Sequence, residues 1–370
     1  MNIGILLPGF SGDEGDWAIP VQLTLIREMA RADDLRVIAL RYPHRKDRYR
    51  VYDADVFALG AGQTRGLGRL CLWWEALHTL RQLHHEKPFD ILHAMWADET
   101  GLIAVWAGKW LDIPVVVSAA GGELVGLSDI GYGLQRSEFS RWIVGGALRA
   151  DCVVVACSYM RECIAKTGYR VPENRIRQIT LGVDTALFTP GSAPTTNKTL
   201  LHAASLVGVK DQGTLLRAMA RLDENVSLIV VGEGPELGNL KALAAKLDIT
   251  DRIQFAGAVP HLDMPDYYRQ AALNILTSRH EGLGMVTLEA AACGVPTVST
   301  AVGLLPDVPE MGVTVPVGDD AALAAAIQHL LDDDAQRAGL AQSAHETVQT
   351  RFTIQRTAEQ FRVLYQELAR

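Results

Sequence analysis

The chain has 370 residues, of which 48% are hydrophobic and 21% charged, with 33 glycines and 15 prolines. That length exceeds what one hydrophobic core usually supports, so we expect about two domains, and the composition argues against a mainly disordered chain. The net charge of −8, from 35 Lys and Arg against 43 Asp and Glu, makes nucleic acid a poor partner.

The first residues, MNIGILLPGF, predict a buried strand and not a signal peptide, because they lack a basic stretch and their apolar run ends at Pro8-Gly9. No apolar run is long enough to predict a transmembrane helix. Five cysteines without a C-x-x-C pair predict neither a disulfide framework nor a zinc site, which fits a reducing cytoplasm. They are Cys71, Cys152, Cys157, Cys163 and Cys293.

Short β-branched runs alternate with amphipathic segments through the first half of the chain, a pattern typical of a parallel sheet flanked by helices. The predicted strands are residues 3–7, 37–40, 91–93, 115–117 and 153–155. A stretch rich in Pro, Gly, Thr and Ser at residues 181–198 then predicts a linker.

The alternation restarts after the linker. The predicted strands are residues 200–203, 228–231, 253–255, 274–276, 296–299 and 313–315, and the predicted helices include residues 241–247, 285–293, 321–331 and 353–370. The sequence therefore predicts an α/β protein of two tandem doubly wound Rossmann-like domains facing an interdomain cleft, with ligand-binding residues just after the strands.

We expect an N-terminal domain at residues 1–185, a C-terminal domain at residues 186–350, and a terminal helix at residues 351–370 that packs back towards the N-terminal domain.

The stretch RHEGLGMVTLE, residues 279–289, places two carboxylates eight positions apart around a glycine-rich loop. Glu281 is predicted in the loop and Glu289 inside the following helix. Gly282 and Gly284 leave backbone amides uncovered at the helix N-terminus, where a phosphate or sugar oxygen could bind. Judged alone, the two carboxylates are more simply explained as a solvated loop charge and a helix-face charge.

The same stretch, with Glu-Ala and Gly294-Val295-Pro296 after it, resembles the Glu-x7-Glu signature of the retaining nucleotide-sugar glycosyltransferases of family 4, which have the GT-B fold. Further motifs extend the resemblance along the chain, and several ordered motifs together are more specific than any one of them. They are GVDTALFTP at residues 182–190, SLVGVKD at 205–211, VGEGP at 231–235 and VPVGDDAALAAAI at 315–327.

The resemblance implies a metal-independent transfer of a sugar, with retention, from a nucleotide-diphosphate sugar to a glycan, lipid-linked or small-molecule hydroxyl. Glu281 would hold the sugar hydroxyls, Glu289 the ribose and Lys210 the diphosphate, with His93 as a further catalytic candidate. The implied donor-binding residues also include Gly282, Leu283, Gly284, Ser205, Gly15, Gly234 and Arg279. By the same resemblance, the N-terminal domain would face the acceptor and the C-terminal domain would bind the nucleotide sugar. The nucleotide sugar would be a substrate, and no cofactor is implied.

In the first domain the resemblance places a glycine-rich turn, residues 9–17, near the diphosphate and the acceptor. The implied acceptor-side residues are Asp16, Trp17, Trp96 and Glu123. Two departures weaken the resemblance. Ser205 stands where relatives commonly carry an arginine, so a bidentate phosphate contact is missing, and Met95 stands where they commonly carry a second histidine. Arg279 or His280 could compensate for the arginine.

Other interpretations stay open. Lys210 could be a surface lysine and His93 a satisfied histidine at a strand end. A sugar-phosphate synthase or phosphorylase of the same fold, and a binding protein that has lost turnover, remain alternatives. A nicotinamide oxidoreductase is a poor alternative. The stretch GEGP at residues 232–235 lacks the glycine spacing of a dinucleotide-binding motif, and no acidic residue ends the next strand.

Aromatic and basic residues in segment 65–87 could contact an anionic membrane. They are Arg65, Arg69, Trp73, Trp74 and Arg81. Aromatic side chains buried under the sheet are the simpler explanation, and we prefer it. The expected location is the cytoplasm, with peripheral contact at the inner face of the membrane left open.

Overall fold

A computed structural model describes residues 1–16, 19–191 and 197–370. Its strands are β1 (Asn2–Gly9), β2 (Asp34–Tyr42), β3 (Asp47–Val51), β4 (Ala54–Ala58), β5 (Ile91–Ala94), β6 (Val115–Ser118), β7 (Cys152–Val155), β8 (Ile176–Gln178), β9 (Thr199–Ala203), β10 (Ser227–Val231), β11 (Ile253–Gly257), β12 (Leu273–Leu276), β13 (Thr297–Thr300) and β14 (Gly312–Val315). Its α-helices are α1 (Pro20–Ala30), α2 (Leu67–Glu86), α3 (Glu99–Leu111), α4 (Glu138–Ala147), α5 (Ser158–Lys166), α6 (Gln212–Met219), α7 (Leu237–Lys246), α8 (Met264–Arg269), α9 (Met285–Ala292), α10 (Asp320–Asp332), α11 (Asp334–Arg351) and α12 (Ile354–Leu368).

The chain divides into two compact units. The first comprises residues 1–156, 160–180 and 354–370, and the second residues 157–159 and 181–353. The α/β class and the two Rossmann-like units predicted from the sequence are confirmed. The main division follows Thr180, whereas the expected domain boundary was at residue 185, and the predicted linker lies partly outside the described residues.

The first unit is built on an eight-stranded sheet in the order β3-β4-β2-β1-β5-β6-β7-β8, in which β3 alone runs antiparallel to its neighbour. The central strand β1 is apolar along almost its whole length, because helices cover both faces of a parallel sheet. The terminal helix α12 packs against α1 and buries Phe361, Leu364 and Tyr365.

The second unit has a six-stranded parallel sheet in the order β11-β10-β9-β12-β13-β14. Its core is formed mainly by leucine, valine and alanine side chains from the strands and from α6, α7 and α10. Aspartates cap three of its helices: Asp211 accepts from the Thr214 amide, Asp319 from the Ala322 amide and Asp333 from the Gln336 amide.

In each sheet the strand order reverses at the first strand of the unit. In the first unit β1 lies between β2 and β5, and in the second β9 lies between β10 and β12. Ligands of doubly wound sheets bind outside the carboxyl ends of the strands at such a point. The loops after β1 and β5, and after β9 and β12, are therefore where a site is expected.

Candidate functional site

Lys210 and Glu281 meet at the reversal point of the second sheet. Lys210 ends a short 3-10 turn after β9, and Glu281 lies in the loop after β12. The Lys210 ammonium forms an ion pair with Glu281 Oε1, and Ser278 Oγ donates to the same oxygen at 2.6 Å. Within the described residues, no donor reaches Glu281 Oε2, so this oxygen is available to a ligand hydroxyl.

Hydrogen bonds between the two loops fix this pair. Thr277 Oγ1 donates to the Lys210 carbonyl at 2.9 Å, and the Arg279 amide donates to the Val209 carbonyl at 2.8 Å. Thr300 Oγ1, at the end of β13, donates to the Ser278 carbonyl at 2.6 Å. The loops after β9, β12 and β13 are therefore joined before any ligand binds.

The glycine-rich loop leads from Glu281 into α9. Gly284 precedes the helix with φ of 84°, a left-handed conformation that favours glycine. The Leu304 amide donates to the Leu283 carbonyl at 2.9 Å, and Gly303 lies against the loop. A Cβ on Gly303 would come within 2.6 Å of that carbonyl oxygen. Gly303 was not a candidate from sequence, yet it limits where the loop can lie.

Glu289 lies inside α9, as predicted, and it is 6% exposed. Tyr268 OH donates to Oε2 at 2.7 Å, and His261 Nε2 lies 3.2 Å from Oε1. Burial, followed by the neighbouring carboxylate, raises the pKa of Tyr268 well above its usual value. Two partners that sequence analysis missed thus orient this carboxylate, whose oxygens retain further acceptor capacity.

A buried histidine lies beneath the ion pair. His202, in β9, is fully buried, and its Nδ1 lies 2.9 Å from the Ile275 carbonyl oxygen. Burial lowers its pKa to about 4, and the charges of Lys210 and Glu281 contribute with opposite signs. At neutral pH the ring is uncharged and packs as part of the sheet end.

Ser205 and Gly234 lie in two neighbouring loops, after β9 and β10. Ser205 is exposed, and its carbonyl accepts from Gln212 Nε2 at 3.0 Å. A Cβ on Gly234 would come within 2.3 Å of the Leu206 carbonyl oxygen. Close approach of the two loops therefore explains this glycine, and its contact with a donor stays a prediction.

In the first unit, Asp16 organises the turn after β1. Its Oδ2 accepts from the Gly12 amide at 2.7 Å and from Tyr42 OH at 2.8 Å. The Gly15 amide donates to Asp13 Oδ1 at 2.8 Å. Trp17, predicted on the acceptor side, lies outside the described residues.

His93 lies at the end of β5, but its ring is fully buried. Nδ1 lies 2.6 Å from Tyr365 OH in α12, and Nε2 lies 2.8 Å from Ser118 Oγ. Burial lowers its pKa to about 3. With both nitrogens occupied, the ring has no access to a reacting atom in this arrangement, which favours the satisfied-histidine interpretation.

Glu123 holds together the loops after β5 and β6. Its carboxylate accepts from the amides of Ala97, Ala120 and Gly121 at 3.2, 2.6 and 2.8 Å. Burial raises the pKa of this carboxyl group while these hydrogen bonds oppose the shift. Its observed contacts are therefore with the backbone.

Near Glu123, Trp96 is half-buried, and Asp98 caps α3 by accepting from the Thr100 amide at 2.8 Å. Burial raises the pKa of Asp98 to about 6. Sequence analysis did not single out Asp98, although its place between a strand end and a helix start is a typical capping signal.

The structure thus brings Lys210, Glu281 and the 282–284 loop together, with Arg279 beside them through its backbone. Glu289 belongs to the same helix–loop segment. The first-unit candidates are separate hydrogen-bonded groups, and no contact among the described residues joins Asp16 to Glu123. Among the described residues, no group of three or more His, Cys, Asp or Glu side chains is arranged to hold a metal ion.

Comparison with known families matches both halves of the chain. Residues 183–347 match the family described as glycosyl transferases group 1, and residues 19–182 match a glycosyl transferase 4-like domain. A D-inositol 3-phosphate glycosyltransferase of Corynebacterium jeikeium is 31% identical over 311 residues, which cover 76% of this chain and 73% of that protein. The chain belongs to the group 1 glycosyl transferases.

Solved structures agree on the fold of this group 1 family member. Sucrose-phosphate synthase of Thermosynechococcus elongatus superposes with a TM-score of 0.81 at 23% identity, over 99% of this chain and 98% of the other. Anabaena HepE in complex with UDP-glucose gives 0.76 at 19% identity over 100% of both chains. These likenesses confirm the predicted GT-B fold.

This chain aligns with less than half the length of two other curated relatives. It covers 46% of an N-acetyl-alpha-D-glucosaminyl L-malate synthase of Bacillus anthracis and 49% of a D-inositol 3-phosphate glycosyltransferase of Catenulispora acidiphila. None of the helices in the described ranges is long and apolar enough to cross a membrane.

Proposed function

We propose that the protein is a retaining, metal-independent glycosyltransferase that moves a sugar from a nucleotide-diphosphate sugar to a hydroxyl acceptor. The observation that carries this proposal is the Lys210–Glu281 pair at the reversal point of the second sheet, with Glu281 Oε2 open to a ligand. A cation and a carboxylate side by side match the two parts of such a donor, its diphosphate and its sugar hydroxyls.

Donor binding would exchange the partners of this pair. The Lys210 ammonium turns to the diphosphate, and Glu281 accepts hydrogen bonds from sugar hydroxyls, each worth about 1.5–3 kcal/mol for a charged acceptor. The amides of the 282–284 loop at the start of α9 face the same ligand. Glu289 would take the ribose hydroxyls, held in place by Tyr268.

In the transfer step, the bond between the anomeric carbon and the diphosphate oxygen breaks, and a bond from that carbon to the acceptor oxygen forms on the same face. The acceptor proton passes to the departing phosphate. Lys210 stabilises the negative charge that grows on the leaving group, so its interaction strengthens towards the transition state.

Titration calorimetry with UDP, GDP, ADP and their sugars tests the donor class. We expect one nucleotide series to bind, and Lys210→Ala to weaken the diphosphate about tenfold or more while leaving the free nucleoside nearly unchanged. Lys246→Ala, an exposed lysine on α7, is the matched control. Absence of nucleotide binding at millimolar concentration, or equal losses for nucleoside and diphosphate, would contradict the proposal.

A phosphorylated acceptor is a second candidate, favoured by the similarity to a D-inositol 3-phosphate glycosyltransferase. Product analysis with a polyol and its phosphate ester, at equal concentration, separates the two acceptor classes. A glycan or a lipid-linked acceptor stays within the proposal.

We also propose a cytoplasmic location and peripheral contact with a membrane. The location is consistent with five cysteines that form no disulfide.

A further inference from the structure

Three neighbouring helices of the first unit, α2, α3 and α4, leave large apolar side chains in solvent. On α2, Leu67, Leu70 and Trp74 are 80%, 55% and 68% exposed. On α3, Trp110 is 53% exposed. Contiguous exposure of large apolar residues on a folded domain usually marks a contact surface.

The helix α4 extends this surface. Phe139 and Trp142 are 50% and 54% exposed. Both rings stack on the buried Trp73 of α2, with ring centroids 6.4 and 6.3 Å from that of Trp73. The arginines Arg69 and Arg81 of α2 lie over Phe139 and Trp110, at 5.3 and 4.9 Å from the ring centroids. These stacked contacts link α2, α3 and α4 into one surface, here called the aromatic face: Leu67, Leu70, Trp74, Trp110, Phe139 and Trp142.

A basic cavity borders the aromatic face. It has a volume of about 540 Å³, and its wall includes the tryptophans Trp106 and Trp142. The ionisable side chains that carry charge in its lining are all cations: Lys109, Arg141, Arg149 and Arg170. Among the described residues, Lys109, Arg149 and Arg170 form no ion pair, so their charge is available to an anion.

Some acidic residues near the face are paired with cations, whereas Asp112 and Asp151 line a neighbouring cavity together with Lys109 and Arg149. Glu75 of α2 pairs with Lys46, and Glu138 of α4 pairs with Arg141 at 3.7 Å. Residues 1–185, which form most of the unit, hold 21 Lys and Arg against 22 Asp and Glu, so this part of the chain has no general excess of positive charge. The four cavity cations are therefore a local group of positive charge beside the exposed tryptophans.

We propose that the aromatic face and its basic cavity dock the protein onto an anionic lipid bilayer. Exposed Trp and Phe insert at the level of the headgroups, and the cavity cations bind lipid phosphates. Exposed aromatic rings beside cations match the headgroup layer of an anionic bilayer, where lipid phosphates lie next to the acyl chains. The inference sharpens the proposed membrane contact and stands on this surface alone, independently of the donor site.

Vesicle co-sedimentation tests the proposal with the full chain and no nucleotide sugar. We expect binding to vesicles that contain phosphatidylglycerol, little binding to pure phosphatidylcholine, and weaker binding at high salt. The double variant Arg149→Glu with Arg170→Glu should lower the partition coefficient at least about 25-fold, from about fivefold per cation removed. Lys246→Glu, on α7 of the second unit, makes the same charge change away from the face and should have little effect.

The apolar part has its own pair of variants. Trp74→Ser and Trp142→Ser should each lower binding to anionic vesicles several-fold, whereas Leu262→Ser, 52% exposed in the second unit, should not. Thermal unfolding checks that each variant folds, and nucleotide titration checks that the donor site is intact. Failure of vesicle binding with intact nucleotide binding therefore overturns the docking surface alone.

Three outcomes contradict the proposal: equal binding to neutral and anionic vesicles, equal losses in the control variants, and saturation of the cavity by inorganic phosphate without vesicle binding. Self-association that is abolished by Trp142→Ser, without vesicle binding, would instead identify the face as a contact between copies of the chain.

Discussion

At the scale of single residues, the proposed donor site contains an ion pair, Lys210 with Glu281. Glu281 and Lys210 satisfy each other, so a diphosphate must compete with a carboxylate for the ammonium. The sequence motif identified both residues as candidates, but it treated them as separate contacts to a ligand. Because the two residues contact each other, a change at Glu281 should also alter how Lys210 binds a ligand.

Glu281→Gln should therefore separate diphosphate binding from sugar transfer. Removing the carboxylate charge frees Lys210, so we expect UDP, or whichever nucleoside diphosphate binds, to bind several-fold more tightly. Transfer should fall about 10- to 100-fold, because a charge-assisted contact to the sugar is lost. Calorimetry and a donor-consumption assay measure the two effects. Weaker diphosphate binding in this variant would show that Glu281 does not restrain Lys210.

Tyr268→Phe tests how Glu289 is oriented. The change removes the hydroxyl that donates to Oε2 inside the protein, so we expect the free energy of unfolding to fall by about 1.5–3 kcal/mol. Nucleoside affinity should fall as well, since the carboxylate becomes less well fixed. Tyr267→Phe, at the neighbouring half-buried position, is the control. Urea unfolding and calorimetry give the readouts, and equal effects of the two variants would argue against this role.

At the scale of elements, the hydrophobic pattern predicted most strands of the two sheets and the helices α7, α9, α10 and α12. The predicted strand at residues 153–155 lies in β7, and the predicted helix at residues 285–293 corresponds to α9. The strands missed were β3, β4 and β8. β3 is mostly exposed and polar, and β8 has one buried residue, so neither shows the apolar run by which buried strands are recognised.

Gly303→Ala tests how the 282–284 loop packs against the loop that follows β13. Gly303 and Gly318 both have positive φ, 69° and 78°, so alanine imposes similar backbone strain of about 1 kcal/mol at either position. At Gly303 the new Cβ would also lie 2.6 Å from the Leu283 carbonyl oxygen, whereas at Gly318 it meets open space. We expect Gly303→Ala alone to displace the 282–284 loop and weaken nucleotide binding markedly.

The comparison of the two glycine variants is decisive because the strain is matched. The positive φ should lower the free energy of unfolding by a similar amount in both variants. Any additional loss in Gly303→Ala then measures the contact of the new Cβ with the loop. If both variants bind nucleotide as the wild type does, the position of the 282–284 loop is not what orders the donor site.

At the scale of the whole molecule, buried histidines make stability depend on pH. Burial lowers the pKa of His202 to about 4 from an ordinary 6.5. Between these values the unfolded chain takes up a proton that the folded chain does not, so stability is lost as the pH falls through this window. His93 acts in the same direction, whereas Asp98, whose pKa is raised to about 6, opposes it below that pH.

Comparison of the wild type with His202→Asn isolates one of these groups. Asparagine can keep a hydrogen bond to the Ile275 carbonyl but does not titrate. From pH 7 to pH 5 we expect the wild type to lose about 2 kcal/mol more unfolding free energy than the variant. Urea unfolding at the two pH values measures the difference. Parallel losses would show that His202 is not buried neutral in the folded protein.

The amino-acid sequence by itself determined the α/β class, the two Rossmann-like units and the Glu281–Glu289 spacing, because periodicity, turn residues and short motifs are local properties. Tertiary structure decided what lies far apart along the chain. Lys210 and Glu281 meet across 71 positions, and His93 is buried by Tyr365 across 272. It also decided which tryptophans remain exposed: Trp73 is buried while its neighbour Trp74 is in solvent, since helix packing, and not composition, selects the buried face.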